Sequence, residues 1–474
     1  MPGQLPPSPK LAGSLRAGEV SAREAVEASL ARIDALDPQL NAFLCVQADR
    51  ALARARELDE GRERGPLHGI PLGVKDLIDV EGMPTTAASR ILAGNVARES
   101  ATVVKRLEAA GAVIVGKLNT HEFAYGALTT SPHFGPARNP WDPGRVCGGS
   151  SGGSGAAPAA GLVAGALGSD TAGSVRIPAA FCGISGIRPS TGLVPCRGVL
   201  PLAWSFDAVG PMARTAEDCA LLLGVIAGHD PADPQSVPVE VQPYAELLAG
   251  DIRGLRIGAV RAFFEGTIDP RVAASVDGSL AELRTLGASV EPVELPFLEE
   301  ARLAQQAIQF PEATSVHLPW LRTRLADYGP DVRIRALAGL HWPPTVYVTG
   351  QRARRLIAEA FHRVFERFDL LVQPAMPMIA PRLGETGIEV DGLEGLGSDA
   401  AIGEDAYRLA AIRYTAPWSL VGFPAAAVPC GVVAGMPVGL SLVGPRLADA
   451  LVLRAAHAFQ RVTDWHERLP PGSL

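Results

Sequence analysis

CGGSSGGSG (147–155) and, a little further on, GSDTAGSVRIPA (168–179) are the most unusual stretches of this 474-residue chain. The span Gly148–Ser169 carries no charge but is too small and polar to read as a membrane-crossing helix. Gly148-Gly149-Ser150-Ser151-Gly152 matches G-x-S-x-G, the pattern of a nucleophile elbow. An elbow needs a strand directly before it. Here ARNPWDPGRV (137–146) precedes it, and its two prolines exclude a central strand. The elbow reading therefore loses its structural context, and taken alone the first run reads as a flexible surface loop. The second run is chemically sharper. Small residues beside Ser174 let successive backbone N–H groups point into one space, as an oxyanion hole requires. Ser174 is thus a candidate nucleophile, with Thr171, Ala172 and Gly173 supplying the donors. A serine needs a base. None of the nine histidines lies beside either run. Lys75, in the apolar stretch GIPLGVKDLIDV (69–80), is the alternative. Exposed at a strand end it would be ordinary; buried, it would lose charge and become a proton acceptor.

The surroundings suggest an α/β protein. Ser21 with Glu24 three residues on predicts a capping box opening a helix over Ser21–Leu36, and Ala48–Leu58 predicts a second. Ile70–Val80, Ala101–Ala110 and Ala112–Val115 read as strand, helix, strand, the unit of a sheet with crossover helices. Later come Leu255–Val260 (strand), Pro270–Leu286 (helix), Ser289–Leu295 (strand), Pro311–Thr323 and Thr349–Phe368 (helices) and Asp369–Gln373 (strand). Leu383–Asp405 reads as an exposed loop, Ala425–Cys430 and Val438–Val443 as strands, and Asp449–Arg461 as a closing helix. Gly111-x4-Gly116-Lys117 approaches a phosphate loop, but Leu118 stands where Ser or Thr should reach magnesium, and Ala-Val-Ile-Val favours a strand.

Composition excludes several classes. Hydrophobic residues are 47%, ample for a core. Lys plus Arg is 43 against 50 for Asp plus Glu, a net −7, which leaves no basic excess to neutralise phosphates. The six cysteines, at 45, 147, 182, 196, 219 and 430, show no metal-ligand spacing and no disulfide framework. Cys147 reads as a small buried filler. The opening MPGQLPPSPK lacks a secretory core, so a cytoplasmic location is expected.

GVKD (73–76), GGSSGGS (148–154) and DTAGSVRIPA (170–179), in that order, resemble the amidase signature family of serine hydrolases. RGPLHGIPLGVKDLIDVEGMPTTAAS (64–89), FCGISGIRPSTGLVP (181–195) and TAPWSLVGFPAAAVPCG (415–431) are similar to its core as well. The resemblance implies an α/β amidase-signature fold, a central mixed β-sheet covered by helices on both faces. It implies a single domain over residues 1–474: a helical lead-in at about 11–60, the signature core at about 64–229, a variable substrate-side region at about 230–368 and a return to the core at about 369–474. It also assigns roles. Ser174 attacks an amide carbonyl, and its proton passes through Ser150, held beside a cis peptide, to neutral Lys75. The oxyanion meets N–H groups at Thr171, Ala172 and Gly173, while Asp170, Arg176 and Ser151 fix the loops. Many relatives carry two glycines before the nucleophile; here the pair is Ala172-Gly173.

Tyr125, Gly126 and Gly149 fall where members line the acyl pocket, and Trp204, Trp320, Trp342 and Trp418 are candidates for an apolar wall. Arg335 resembles a recurrent arginine. One branch, the glutamine-hydrolysing subunit of a transfer-RNA-dependent amidotransferase, grips the substrate amino group with an acidic residue ahead of a T-x-P segment. Ile412 stands there in this chain, followed by Arg413. The expectation is therefore hydrolysis of a neutral, apolar amide, anilide or carbamate; the alternative is the glutamine-hydrolysing role. No metal or organic cofactor is implied. The expected partner is the small-molecule amide or carbamate, with no nucleic acid and no membrane; a homodimer is compatible with this.

Overall fold

The computed structural model describes residues 8–61, 65–265, 268–385 and 400–471. Its spine is one eleven-stranded mixed sheet. The strands are β1 (Phe43–Val46), β2 (Pro71–Lys75), β3 (Val113–Leu118), β4 (Gly165–Asp170), β5 (Ser185–Arg188), β6 (Ala208–Ala213), β7 (Arg256–Val260), β8 (Ser289–Val293), β9 (Leu370–Pro374), β10 (Ala425–Val433) and β11 (Met436–Val443). They lie in the order β1-β3-β2-β4-β6-β5-β10-β11-β9-β7-β8. Every residue of β2, β3, β4, β6 and β11 is buried, so these strands show no polar alternation. That is the mark of a sheet covered on both faces.

The helices that matter below are α1 (Ala22–Leu40), α2 (Gly152–Ala159), α3 (Arg176–Cys182), α4 (Leu298–Thr323), α5 (Pro330–Ala338), α6 (Pro344–Phe365) and α7 (Ala400–Arg413). α1 begins with the expected capping box: the Glu24 N–H donates to Ser21 Oγ, and the Ser21 N–H donates to the Glu24 carboxylate at 2.8 Å. α2 packs on β4 and β6, and α3 on β10 and β11. β2 runs parallel to β3 and to β4, with Leu72 opposite Gly165 and Val74 opposite Leu167. This register brings the carboxyl end of β2, at Lys75, beside Ser169 near the end of β4.

Some elements depart from the sequence expectations. α4 starts at Leu298 and runs through Pro311 and Pro319, whereas Pro311 was expected to open it. A proline removes one helical donor, but the packing of α4 on α6 and on the short helix Ala416–Val421 overrides that local preference. α7 occupies Ala400–Arg413, so the end of the expected loop Leu383–Asp405 is helical; residues 386–399 lie outside the described residues. The strands β4, β5 and β6 gave no clear signal, because GALGSD, SGIR and AVGPMA hold few branched or aromatic residues. ARNPWDPGRV contributes no central strand; Arg138–Asn139 and Asp142–Val146 form a separate two-stranded ribbon. Lys117, from the phosphate-loop-like segment, is buried in β3 and pairs with Asp76 at 3.2 Å. Among the described residues no helix is long and apolar enough to cross a membrane.

Candidate active site

Lys75 ends β2 with no exposed surface. Its Nζ lies 2.7 Å from Ser150 Oγ and 2.9 Å from Ser169 Oγ. Burial pulls its pKa from 10.5 down to about 7, with the charges of Asp170 and Asp207 opposing part of that fall. Near neutral pH a large share of this amine is therefore uncharged and able to accept a proton. Ser169 was not singled out from the sequence. The signal lay in the strand: β4 pairs with β2, so a hydroxyl close to the end of one must meet the end of the other.

Ser150 follows a cis Gly149–Ser150 peptide bond. Its carbonyl accepts from the His121 N–H at 2.9 Å and from the Thr120 and Thr129 hydroxyls. Glycine is required at 149: a Cβ there would sit 2.7 Å from the backbone of Ala127 and Leu128. Ser151 ties the two serine loops together. Its N–H donates to the Ser174 carbonyl at 3.2 Å, and its hydroxyl to the Ser169 carbonyl at 3.1 Å.

Ser174 sits between β4 and α3, 8% exposed at the floor of a cleft. The loop around it is fixed by Asp170. Arg176 holds this carboxylate bidentately, Nε to one oxygen and Nη2 to the other, both at 3.0 Å. Arg188 adds a contact at 3.5 Å and donates to the Asp170 carbonyl. Burial pushes the Asp170 pKa up, but the guanidinium charges and hydrogen bonds outweigh it and hold the group well below the usual carboxylate range. Asp170 also accepts the Gly173 N–H at 2.7 Å and the Val175 N–H at 3.2 Å. Gly173 therefore shapes the turn instead of presenting its N–H to the cleft, contrary to the donor role expected of it. Its φ is +135°, and a Cβ there would collide with Thr415 Oγ1. Thr415 in turn donates to the Ala172 carbonyl. Thr171 donates to Asp207 at 2.5 Å. Asp207 also receives the N–H groups of Leu202 and Ala203, and burial raises its pKa to about 6 against those bonds. Asp207 and Thr415 were missed because each is remote in sequence from the motif it supports; Arg188 lies in the quoted run 181–195, but only the folded chain shows that it meets Asp170.

The cleft above Ser174 is open to solvent, and the space within it and at its mouth together comes to about 370 Å³. Tyr125, Gly126, Gly149, Thr171, Ala172 and Ile177 line one part of it; Gln309 from α4 and Arg408 and Ile412 from α7 line another. Tyr125, Gly126 and Gly149 thus lie in the same cleft as Ser174. The four tryptophans are not among its lining residues. Trp204 is exposed, Trp418 is buried against Phe361 and Trp320 stacks on Phe123. The Tyr125 segment is clamped from outside by α5. Arg335 donates to the Tyr125 carbonyl at 2.5 Å and to Asp331 at 2.8 Å, and Asp331 meets His121 Nε2 at 2.9 Å. Cys147 is buried, and burial pushes its thiol pKa up. Among the described residues no group of three or more His, Cys, Asp or Glu is placed to hold a metal ion.

The family described as Amidase matches residues 24–453. A glutamyl-tRNA(Gln) amidotransferase subunit of Chloroflexus aurantiacus is 43% identical, over 96% of each chain. A crystal structure of the like-named subunit from Thermotoga maritima is 35% identical, covers 93% of this chain and 92% of its own, and has a TM-score of 0.78. A structure described as a vestigial complex revealing the origins of an s-triazine catabolic enzyme is 39% identical, covers 96% and 98%, and has a TM-score of 0.90. These likenesses correct one expectation. A small-molecule amide or carbamate as the sole partner, with no nucleic acid, does not stand beside relatives named as glutamyl-tRNA(Gln) amidotransferase subunits. The net charge of −7 bounds what one chain grips by itself, not what an assembly containing it acts upon.

Proposed function

Since the chain belongs to the amidase family, we propose that it is the amide-hydrolysing subunit of a transfer-RNA-dependent amidotransferase, releasing ammonia from glutamine. The observation that carries this is the likeness to glutamyl-tRNA(Gln) amidotransferase relatives along nearly the whole chain. The contact of Lys75 with Ser150 supports the chemistry. In this reading Ser174 Oγ attacks the side-chain carboxamide carbon while its proton moves through Ser150 to neutral Lys75. The tetrahedral oxyanion is held by N–H groups of the Thr171–Ser174 turn, with Gly173 excluded as a donor because its N–H is already given to Asp170. The relay then returns the proton to the leaving nitrogen. Ammonia departs, and a water activated by the same relay releases glutamate from the acyl-enzyme.

Glutamine is preferred over the neutral, apolar amide suggested by the sequence because the relatives that match nearly the whole chain are named glutamyl-tRNA(Gln) amidotransferase subunits. The test is ammonia release from glutamine by the purified chain and by Ser174→Ala, each alone and with the partner subunits from its source. Release that vanishes with Ser174→Ala and rises with the partners is expected. Turnover of acyl anilides or carbamates with no release from glutamine in any mixture would overturn the proposal.

A further inference from the structure

Lys75 and Asp207 stand at the same end of three adjacent strands. β2 ends at Lys75, β4 lies beside it and β6 beside β4, with Val209 opposite Ser169 and Ala208 opposite Asp170. Ser169, whose hydroxyl meets Lys75 Nζ at 2.9 Å, and Asp207 line one small hollow behind the cleft; Ala124, Thr171 and Leu202 border both spaces. Of the residues lining the hollow, Asp207 alone is charged, and Leu77, Val199, Leu200 and Val209 make much of the rest. A carboxylate in such surroundings is weakly screened, so its field reaches the strands beside it.

The two carboxylates near Lys75 are not equivalent. Asp170 is matched by Arg176 on both oxygens and by Arg188. Asp207 is held by neutral donors, the Thr171 hydroxyl and the N–H groups of Leu202 and Ala203, and among the described residues no cation forms an ion pair with it. Arg188, the nearby guanidinium, gives its donors to the Asp170 carbonyl, Thr191 Oγ1 and the Phe206 carbonyl. Glu312 and Arg354 meet the turn before Asp207 only at Ser205, and the Cys196 thiol donates to the Asp207 carbonyl. Asp76, next to Lys75 in the chain, is paired with Lys117. Without Asp207 the buried cluster would set Arg176 and Arg188 against Asp170 alone. A proton arriving on Lys75 would then make a third buried cation with no counter-charge.

We infer that Asp207 is a positioning residue for the Ser174 proton: its carboxylate, across the hollow from Ser169, steadies the ammonium that Lys75 becomes when the proton arrives. This rests on the proton relay of the reading above and not on the choice of glutamine.

The test is the pH dependence of kcat/KM for ammonia release from glutamine in wild type, Asp207→Asn and Asp207→Glu, each checked by thermal midpoint for intact folding. Asn keeps an oxygen for the Leu202 and Ala203 N–H groups and an N–H for Thr171 Oγ1, so it removes charge with little change of shape. The wild-type acid limb should have its midpoint at about 7, where Lys75 gives up its proton. In Asp207→Asn the midpoint should move down by about one pH unit, the scale of one weakly screened charge a strand or two away. The alkaline plateau should drop about threefold, because a weaker base takes the proton. In Asp207→Glu the midpoint should stay within about 0.3 unit of wild type. A lower plateau with an unmoved midpoint in Asp207→Asn would make Asp207 a mere brace for Thr171 and the turn at Leu202, and would overturn the inference. A midpoint that moves upward, or equally in both variants, would overturn it too. If Asp207→Asn does not fold, Asp207→Ser, also uncharged, takes its place under the same criteria. If no amide is turned over, the glutamine reading falls, and the inference is decided by labelling Ser174 with phenylmethylsulfonyl fluoride, read by intact mass with Ser174→Ala as control. Ser174 Oγ then bonds to sulfur, fluoride leaves and the proton passes to Lys75, so the labelling rate carries the same midpoint. A downward shift in Asp207→Asn supports the inference. An unmoved midpoint, or no labelling at any pH, overturns it.

Discussion

At the scale of the residue, the site depends on charges kept out of water. Lys75, with its pKa drawn down to about 7, is fully buried. If it receives the Ser174 proton, kcat/KM should fall about tenfold for each pH unit below about 7 and level off above it. A profile flat between about pH 5 and 9 would contradict this assignment. The stability consequence has the same origin and a definite sign. The unfolded lysine keeps its proton up to about 10.5 and the folded one only to about 7, so its unfavourable contribution is complete below pH 7 and fades between those values. Thermal midpoints of wild type and Lys75→Met should therefore differ most below pH 7 and converge on the alkaline side, with Met the more stable at low pH. Asp170 behaves in the opposite way. Asp170→Asn leaves Arg176 and Arg188 buried without their counter-charge. A loss of about 3–5 kcal/mol in chemical denaturation is expected. A loss below about 1 kcal/mol would mean that water or another group has replaced the carboxylate.

Among the elements, α5 does the positioning. It touches the cleft only through the Tyr125 segment, to which His121–Asp331 and Arg335–Tyr125 bind it. Asp331→Asn should raise KM about tenfold while lowering kcat much less, because substrate fit changes and the Lys75–Ser150 contact does not. Steady-state kinetics with glutamine measure the split; an equal fall in kcat would place Asp331 in the chemistry itself. The elements also show what could be read in advance. Helices with caps or a clear apolar period, such as α1 and Ala48–Glu60, were legible from local pattern alone. β4 to β6 were not, since they are built of small residues whose burial depends on neighbours far away in the chain. Lys75, Ser150 and Ser174 stood out because each lies in a dense motif. Ser169 and Thr415 lie inside conspicuous stretches, yet they and Asp207 matter only through what the fold brings beside them, which no stretch shows by itself.

For the molecule as a whole, net charge and nucleic acid have to be reconciled. A chain of charge −7 has little to offer a phosphate backbone. Alone, it should not retard transfer RNA in a mobility-shift experiment at about 0.15 M salt, and retardation should require the partner subunits. Retardation by the isolated chain, weakening steeply with added salt, would reveal a basic surface that the overall balance conceals. The position of the cleft walls bears on this enzyme's history. The serines and the lysine come from residues 75–174, whereas Gln309, Arg408 and Ile412 arrive from stretches far downstream. The reacting groups and one part of the cleft wall thus lie on one length of the chain, and the other part of the wall on a separate, later one. A lineage can trade one amide for another by drifting in the later half while its scissors stay untouched, and chimeras exchanging residues 298–413 between relatives should carry the preference with them.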